Sequence, residues 1–157
     1  MIRIRRAESK DLGVVQKLGY QLLETERKGW DPTLDSSWAK GEEGKKVYLD
    51  AIENKYVLLA EDDGEAVGYL IGKIHIPPKQ AARHIVLARL INIYVDGAHR
   101  HQGIGKRLFQ HFREHCIEQG VNDLEVLVLA KNQNAIEFYK KQNFTPKRVA
   151  MAQKLKK

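Results

Sequence analysis

The run Arg100-His101-Gln102-Gly103-Ile104-Gly105-Lys106 carries the residue types and spacing that point most directly to chemistry. Glycines at positions 103 and 105 let the backbone come close to a bulky anion. A helix starting there presents free amides and a partial positive charge. Arg100, Lys106 and Arg107 add formal charge nearby, so a phosphate group is the ligand such a turn accommodates. An ordinary strand-to-helix loop fits the same glycines equally well. Two familiar phosphate motifs do not fit: a P-loop needs Ser or Thr where Arg107 stands, and a dinucleotide fingerprint needs a small residue where Leu108 stands.

Other reactive side chains are less directive. His111 and His115 are four apart and share a helix face, the spacing of a chelating pair. No further ligand cluster accompanies them, so no metal is expected. Cys116 falls on an apolar helix face and reads as a small buried hydrophobe. Trp30 and Trp38 flank the loop around Pro32, where they either line a pocket or staple the loop.

The elements that must position the glycine turn follow from periodicity. Residues 2–5 alternate as a short strand. Ser9 serves as an N-cap, and Leu12, Val15, Leu18 and Leu22 follow at helical spacing in a helix that fades near Arg27. A second helix lies within residues 37–54, weakened in its first turns by Gly41 and Gly44. Residues 56–61 and 66–74 form a hairpin around Asp62-Asp63-Gly64-Glu65, and Pro77-Pro78 ends its second strand. Residues 87–95 are the next strand, 103–119 a helix, 124–130 an apolar strand covered on both faces, and 134–142 a short helix. Residues 144–155 close the chain with one or two strands around Pro146. The strand–helix–strand unit over 87–130 implies two parallel strands. The fold class is therefore α/β, a mixed sheet with helices on its faces, in a single domain over residues 1–157.

At this point the chain resembles the GCN5-related N-acetyltransferase superfamily. Arg100, Gly103 and Gly105 match its Gln/Arg-x-x-Gly-x-Gly/Ala signature. Ile93-Tyr94-Val95 resembles the end of its fourth strand. Asn132, Ala135, Ile136 and Tyr139 match its Asn-x-x-Ala-Ile-x-x-Tyr signature, and Asn143-Phe144 resembles its Gly-Phe ending. The resemblance implies that strands 4 and 5 splay apart at a bulge in strand 4, with acetyl-coenzyme A in the wedge. The backbone of Ile93, Tyr94 and Val95 would pair with the pantetheine arm. The loop Arg100, His101, Gln102, Gly103, Ile104, Gly105 and Lys106 would hold the pyrophosphate through its amides. Asn132 would hydrogen-bond the pantetheine region, and Tyr139 would lie near the thioester sulfur as general acid. A tyrosine hydroxyl carries its proton at neutral pH, which suits that role.

Three positions depart from the family's pattern without touching the cofactor site: Gly97 for Pro, His101 for Gly, and Asn143 for Gly, where Asn tolerates a left-handed turn. The fourth matters more. The family often has a carboxylate on strand 4 near Ile91 and Asn92, and neither is acidic here. Glu24, Glu26, Asp31 and His75 could border the acceptor site, and none is assigned as base. Acceptor specificity is expected from the first two helices and residues 77–89.

The expected activity is transfer of an acetyl group from acetyl-CoA to a primary amine on a small molecule or protein. The alternative is a non-catalytic acyl-CoA sensor or partner-binding module of the same fold. Composition sets the remaining bounds. Apolar residues make up 43% and charged residues 30% of 157, with no apolar run long enough for a membrane span and no secretory signal. One cysteine fits a reducing cytoplasm. Residues 1–99 hold 15 Lys+Arg and 15 Asp+Glu, whereas residues 100–157 hold 12 and 5, so the whole +7 excess lies in the second part. That favours an anionic ligand and argues mildly against a polycationic acceptor, unless Glu42, Glu43, Asp62 or Asp63 forms a local acidic patch. Nucleic acid ranks last as a partner, because no helix is dense in Lys and Arg and no aromatic stacking series is present. The family allows a homodimer.

Overall fold

The computed structural model describes residues 1–75, 86–153 and 155. Two compact units are distinguished, Met1–Leu127 and Val128–Lys157. The first contains β1 (Ile2–Arg6), α1 (Leu12–Gly29), α2 (Glu42–Asn54), β2 (Tyr56–Asp62), β3 (Glu65–His75), β4 (Leu87–Val95), α3 (Ile104–Glu118) and β5 (Asp123–Val126). The strands form one sheet in the order β1-β2-β3-β4-β5, antiparallel except for β4 against β5. The second unit contains α4 (Gln133–Lys141).

The hairpin turn between β2 and β3 forms because Asp63 and Gly64 both take positive φ, 47° and 88°, the handedness that matches the twist of the flanking strands. Side chains then alternate across the sheet. Val57, Leu59, Tyr69, Ile71 and Tyr94 join Val15, Leu18, Tyr48, Ala51 and Ile52 in one cluster between the sheet and α1 with α2. The opposite face packs on α3, whose Ile104, Leu108, Phe112 and Cys116 are all buried. There Gly72 leaves room for an aromatic ring: a Cβ at that position would run into Phe112.

Several boundaries differ from expectation. Ser9 starts a short 3-10 turn (Ser9–Asp11) instead of capping α1, which begins at Leu12 and runs to Gly29. Asp11 organises this corner: it accepts from the Glu8 amide at 2.8 Å and pairs with Arg5 at 2.7 Å, and Arg5 also reaches Glu61. The Arg5 guanidinium holds the Asp11 carboxyl down at about 2. The expected helix over 37–54 is split into a 3-10 turn (Ser36–Lys40) and α2, because Gly41 is extended between them. Gly44 is needed for a close approach, since a Cβ there would meet the Trp38 carbonyl. β5 stops at Val126 instead of continuing to 130, and it is partly exposed at the sheet's edge rather than covered on both faces; Leu127 is 81% exposed. The closing strands expected over 144–155 are absent from the described residues. Pro146 has no N–H to give a ladder, and Val149 and Met151 lie exposed. Pro77 and Pro78 lie outside the described residues.

His115 has a structural partner. Its ring stacks on Tyr56 with centroids 4.0 Å apart and planes 16° from parallel, and the Arg6 guanidinium lies 3.9 Å from the same Tyr56 ring. Burial first, and Arg6 second, push the His115 pKa down. The folded state thus favours neutral His115, so its contribution is complete above the ordinary histidine pKa and is lost as pH falls through the lowered folded value. Urea denaturation from pH 7.5 to 5 should show wild type losing more stability than His115→Phe. Parallel pH dependence in the two would contradict this account.

Candidate active site

β4 carries one residue more than β3 can pair. Ile71 pairs with Asn92 and the next residue, Gly72, with Leu90, so Ile91 is left over as a bulge. It is 42% exposed in the middle of an interior strand. β5 follows β4 only over Leu87–Leu90. Beyond the bulge the two strands part, and the β5-side edge of Asn92, Ile93, Tyr94 and Val95 joins no ladder among the described residues. Backbone N–H and C=O groups on such an edge are strong hydrogen-bonding groups in want of partners.

That edge runs directly into the glycine turn. The Asp96 amide donates to the Val67 carbonyl at 2.8 Å, which fixes the end of β4, and Asp96 Oδ1 accepts from the Gly97 amide. Arg100 Nε donates to the Val95 carbonyl at 3.0 Å, and its guanidinium lies 5.5 Å from the Tyr94 ring. Arg100 therefore ties the turn to the strand. His101 at φ 62° and Gly103 at φ 76° are both left-handed, and they turn the chain into α3. A Cβ on Gly103 would meet nothing within 4 Å, so backbone conformation, not crowding, calls for glycine there. Gly103 is the N-cap and offers no side-chain cap. The first helical hydrogen bond is Arg107 N to Gly103 O at 3.0 Å, which leaves the amides of Ile104, Gly105 and Lys106 without intrahelical acceptors. Arg107 spends its guanidinium on the Ile2 carbonyl at 2.9 Å. Gln102 and Lys106 are exposed beside the cradle. The cradle thus suits an anionic group such as a phosphate, and the strand edge suits an amide-bearing arm.

The second signature lies in the other unit. Asn132 is the N-cap of α4, its Oδ1 accepting from the Ala135 amide at 3.0 Å. Tyr139 is 6% exposed and meets Phe138 and Phe144 edge-on at 5.2 and 5.4 Å. Asn143 takes φ 65°, the left-handed turn for which it stands in place of glycine.

The residues considered for the acceptor side separate clearly. Glu24 is held by Arg27, Lys28 and the Ser36 hydroxyl, which keep its carboxyl well below the usual range. Asp31 accepts from the amide and hydroxyl of Thr33. His75 is exposed at the end of β3. Glu26 is half-buried, and burial, with Asp31 adding to it, pushes its carboxyl pKa up. Trp38 packs on Tyr48 at 6.0 Å, against the core, and acts as a staple. Asp62 and Asp63 pair with the Met1 amine at 3.0 and 2.8 Å. The Cys116 thiol is buried and pushed up to about 11, the behaviour of a hydrophobe. Among the described residues no group of three or more His, Cys, Asp or Glu could hold a metal ion, and no helix is long and apolar enough to cross a membrane. Of the expected specificity segment over residues 77–89, residues 77–85 lie outside the described residues.

Sequence reasoning missed Tyr69. Its hydroxyl is fully buried, beside that of Tyr48. The only signal was a phenol within the otherwise apolar stretch of β3.

A mixed sheet whose fourth strand bulges and opens along one edge thus runs into an amide cradle. The Acetyltransferase (GNAT) family profile matches residues 20–144, and the chain belongs to that family. Solved structures share the fold. The BH1408 protein of Bacillus halodurans, solved as a tetramutant, is 20% identical with a TM-score of 0.88, covering 98% of this chain and 99% of that one. Aminoglycoside N-acetyltransferase AAC(6')-Iy, in complex with CoA, is 16% identical with a TM-score of 0.75, covering 98% and 95%. An aminoglycoside acetyltransferase from an uncultured soil metagenomic sample, in complex with trehalose, is 22% identical with a TM-score of 0.71, covering 99% and 97%. No curated protein matches the chain.

Proposed function

We propose that this protein is an acetyl-CoA-dependent N-acetyltransferase that moves an acetyl group to a primary amine by direct attack of the amine on the thioester. The observation that carries this reading is the continuity of the opened β4 edge with the amides of Ile104, Gly105 and Lys106. In this reading the edge at Ile93, Tyr94 and Val95 orients the pantetheine arm and the cradle from Arg100 to Lys106 holds the pyrophosphate. A β4 amide polarises the thioester carbonyl. Asn132, whose Oδ1 is spent on its helix cap, donates through Nδ2. Tyr139 supplies the proton that the departing sulfur needs.

The test follows thiol release from acetyl-CoA across a panel of primary amines. The panel includes aminoglycosides, because proteins named for that substrate share the fold. Tyr139→Phe should lower kcat by ~10²-fold while acetyl-CoA binding, measured by calorimetry, holds. The sensor reading draws support from the missing carboxylate at Ile91 and Asn92. Tight acetyl-CoA binding with no turnover of any amine would establish it instead.

A further inference from the structure

We propose that Glu26 is the acceptor-side carboxylate, which binds the ammonium of the incoming amine and receives its proton. This rests on the acetyltransferase reading above and supplies the base that β4 lacks.

Glu26 continues the sheet-facing stripe of α1. Val15, Leu18 and Gly19 are buried, and Leu22 packs on the same core. Residue 26, one helical turn further, belongs to that face, so a carboxylate stands where the pattern calls for an apolar side chain. Cations are close in sequence and do not serve it: Arg27 and Lys28 both pair with Glu24. Among the described residues no cation pairs with Glu26. A half-buried carboxylate without a counter-ion costs stability unless something cationic binds there.

Tyr69 marks the floor of this face. Its hydroxyl is fully enclosed, with the Tyr48 hydroxyl as its hydrogen-bonding neighbour. Glu26 and the hydroxyls of Tyr48 and Tyr94 are all within electrostatic reach of it. The Tyr48 hydroxyl fits against Gly19 of α1, where no Cβ could stand. Tyr69 pairs across the sheet with Tyr94, and Ile71 with Asn92, so these side chains share the α1 face with Glu26. An ammonium supplies the N–H donors and the positive charge that the Glu26 carboxylate lacks. Asp31 adds negative charge beside Glu26, which strengthens attraction for a cation and proton affinity together. The substrate class is a protonated primary amine.

The protons balance. One N–H proton of the ammonium passes to Glu26. The freed lone pair attacks the thioester carbon, the C–N bond forms and the C–S bond breaks. A second N–H proton is matched by the one that ends on sulfur, and the third stays on the amide. Glu26 then returns its proton to water.

The experiment compares wild type with Glu26→Gln by thiol release across the amine panel, by pH profiles and by calorimetry with acetyl-CoA. Glu26→Gln should lower kcat/KM for amines by ~10²-fold and remove the acid limb of its pH profile. Acetyl-CoA affinity should stay within about twofold and Tm should hold or rise, since a lone half-buried charge is removed. Retention of kcat/KM within about threefold, with the acid limb intact, overturns the assignment. So does a joint fall in Tm and cofactor affinity, which marks a structural residue. No turnover by wild type itself overturns the acetyltransferase reading, a result distinguishable from both.

Discussion

Gly103→Val should weaken acetyl-CoA binding by ~10²-fold or more while leaving the protein folded. Gly103 sits at φ 76°, where an L-residue carries a penalty of about 1–2 kcal/mol and a β-branched one fits worst. The chain relieves that strain by rotating the turn, which redirects the amides of Ile104, Gly105 and Lys106. Each N–H bond to a charged oxygen contributes about 1.5–3 kcal/mol, so losing two accounts for the expected factor. The space around the new Cβ is open, so no core packing is lost. Gly103→Ala should fall between wild type and valine, because it carries the φ penalty without the branch. Calorimetry with acetyl-CoA checks the series, and unchanged affinity for Gly103→Val would place the pyrophosphate elsewhere.

The largest effect on stability should come from the contact between Gly72 and Phe112. Phe112 is fully buried, lies 5.7 Å from the Tyr56 ring and occupies the volume a Cβ at Gly72 would need. Phe112→Ala should cost about 3–5 kcal/mol through lost burial and a cavity. Gly72→Val should cost about 3 kcal/mol through overpacking, beside the bulge where β3 and β4 have little freedom to shift. The double variant should lose less than the two costs together by at least ~1 kcal/mol, because valine fills part of the space the ring vacates. Urea denaturation of the four proteins reads this coupling, and strict additivity would contradict the packing described.

Local chemistry was legible in the sequence wherever one residue type decides the backbone. Asp63-Gly64 set the hairpin, Gly103 the turn into α3, and Asn143 the turn after α4, whereas the left-handed His101 carried no such mark. The bounds of β4 followed from its apolar members and from the break at Asp96-Gly97. What depends on pairing distant segments was not legible. Ile91 carries no mark of a bulge in its own neighbourhood; the extra residue exists only relative to β3. β5 ends at Val126, level with Leu90 just before that bulge, so the apolar run after it misleads. The stack of His115 on Tyr56 joins α3 to β2, whereas the helical spacing of His111 and His115 points to a ligand pair. Glu26 and Tyr69 look ordinary apart and become informative only when the sheet brings α1 over β3. The proposed cradle was readable because it is local, and the proposed acceptor side was not because it would be assembled from α1, β3 and β4.

The surplus residue at Ile91 also bears on how the molecule behaves in solution. A row of unladdered amides and carbonyls beside an exposed isoleucine is a template on which an extended segment of any other molecule can add itself. Natural sheets blunt such borders with charge or proline; Asn92, Ile93, Tyr94 and Val95 bring neither, and Arg100 covers the Val95 carbonyl at one end. In the proposed enzyme the acyl donor's own arm covers this border, so one ligand both shields the strand and shifts the folding equilibrium toward the native state by mass action. Donor supply would then govern colloidal behaviour as well as turnover.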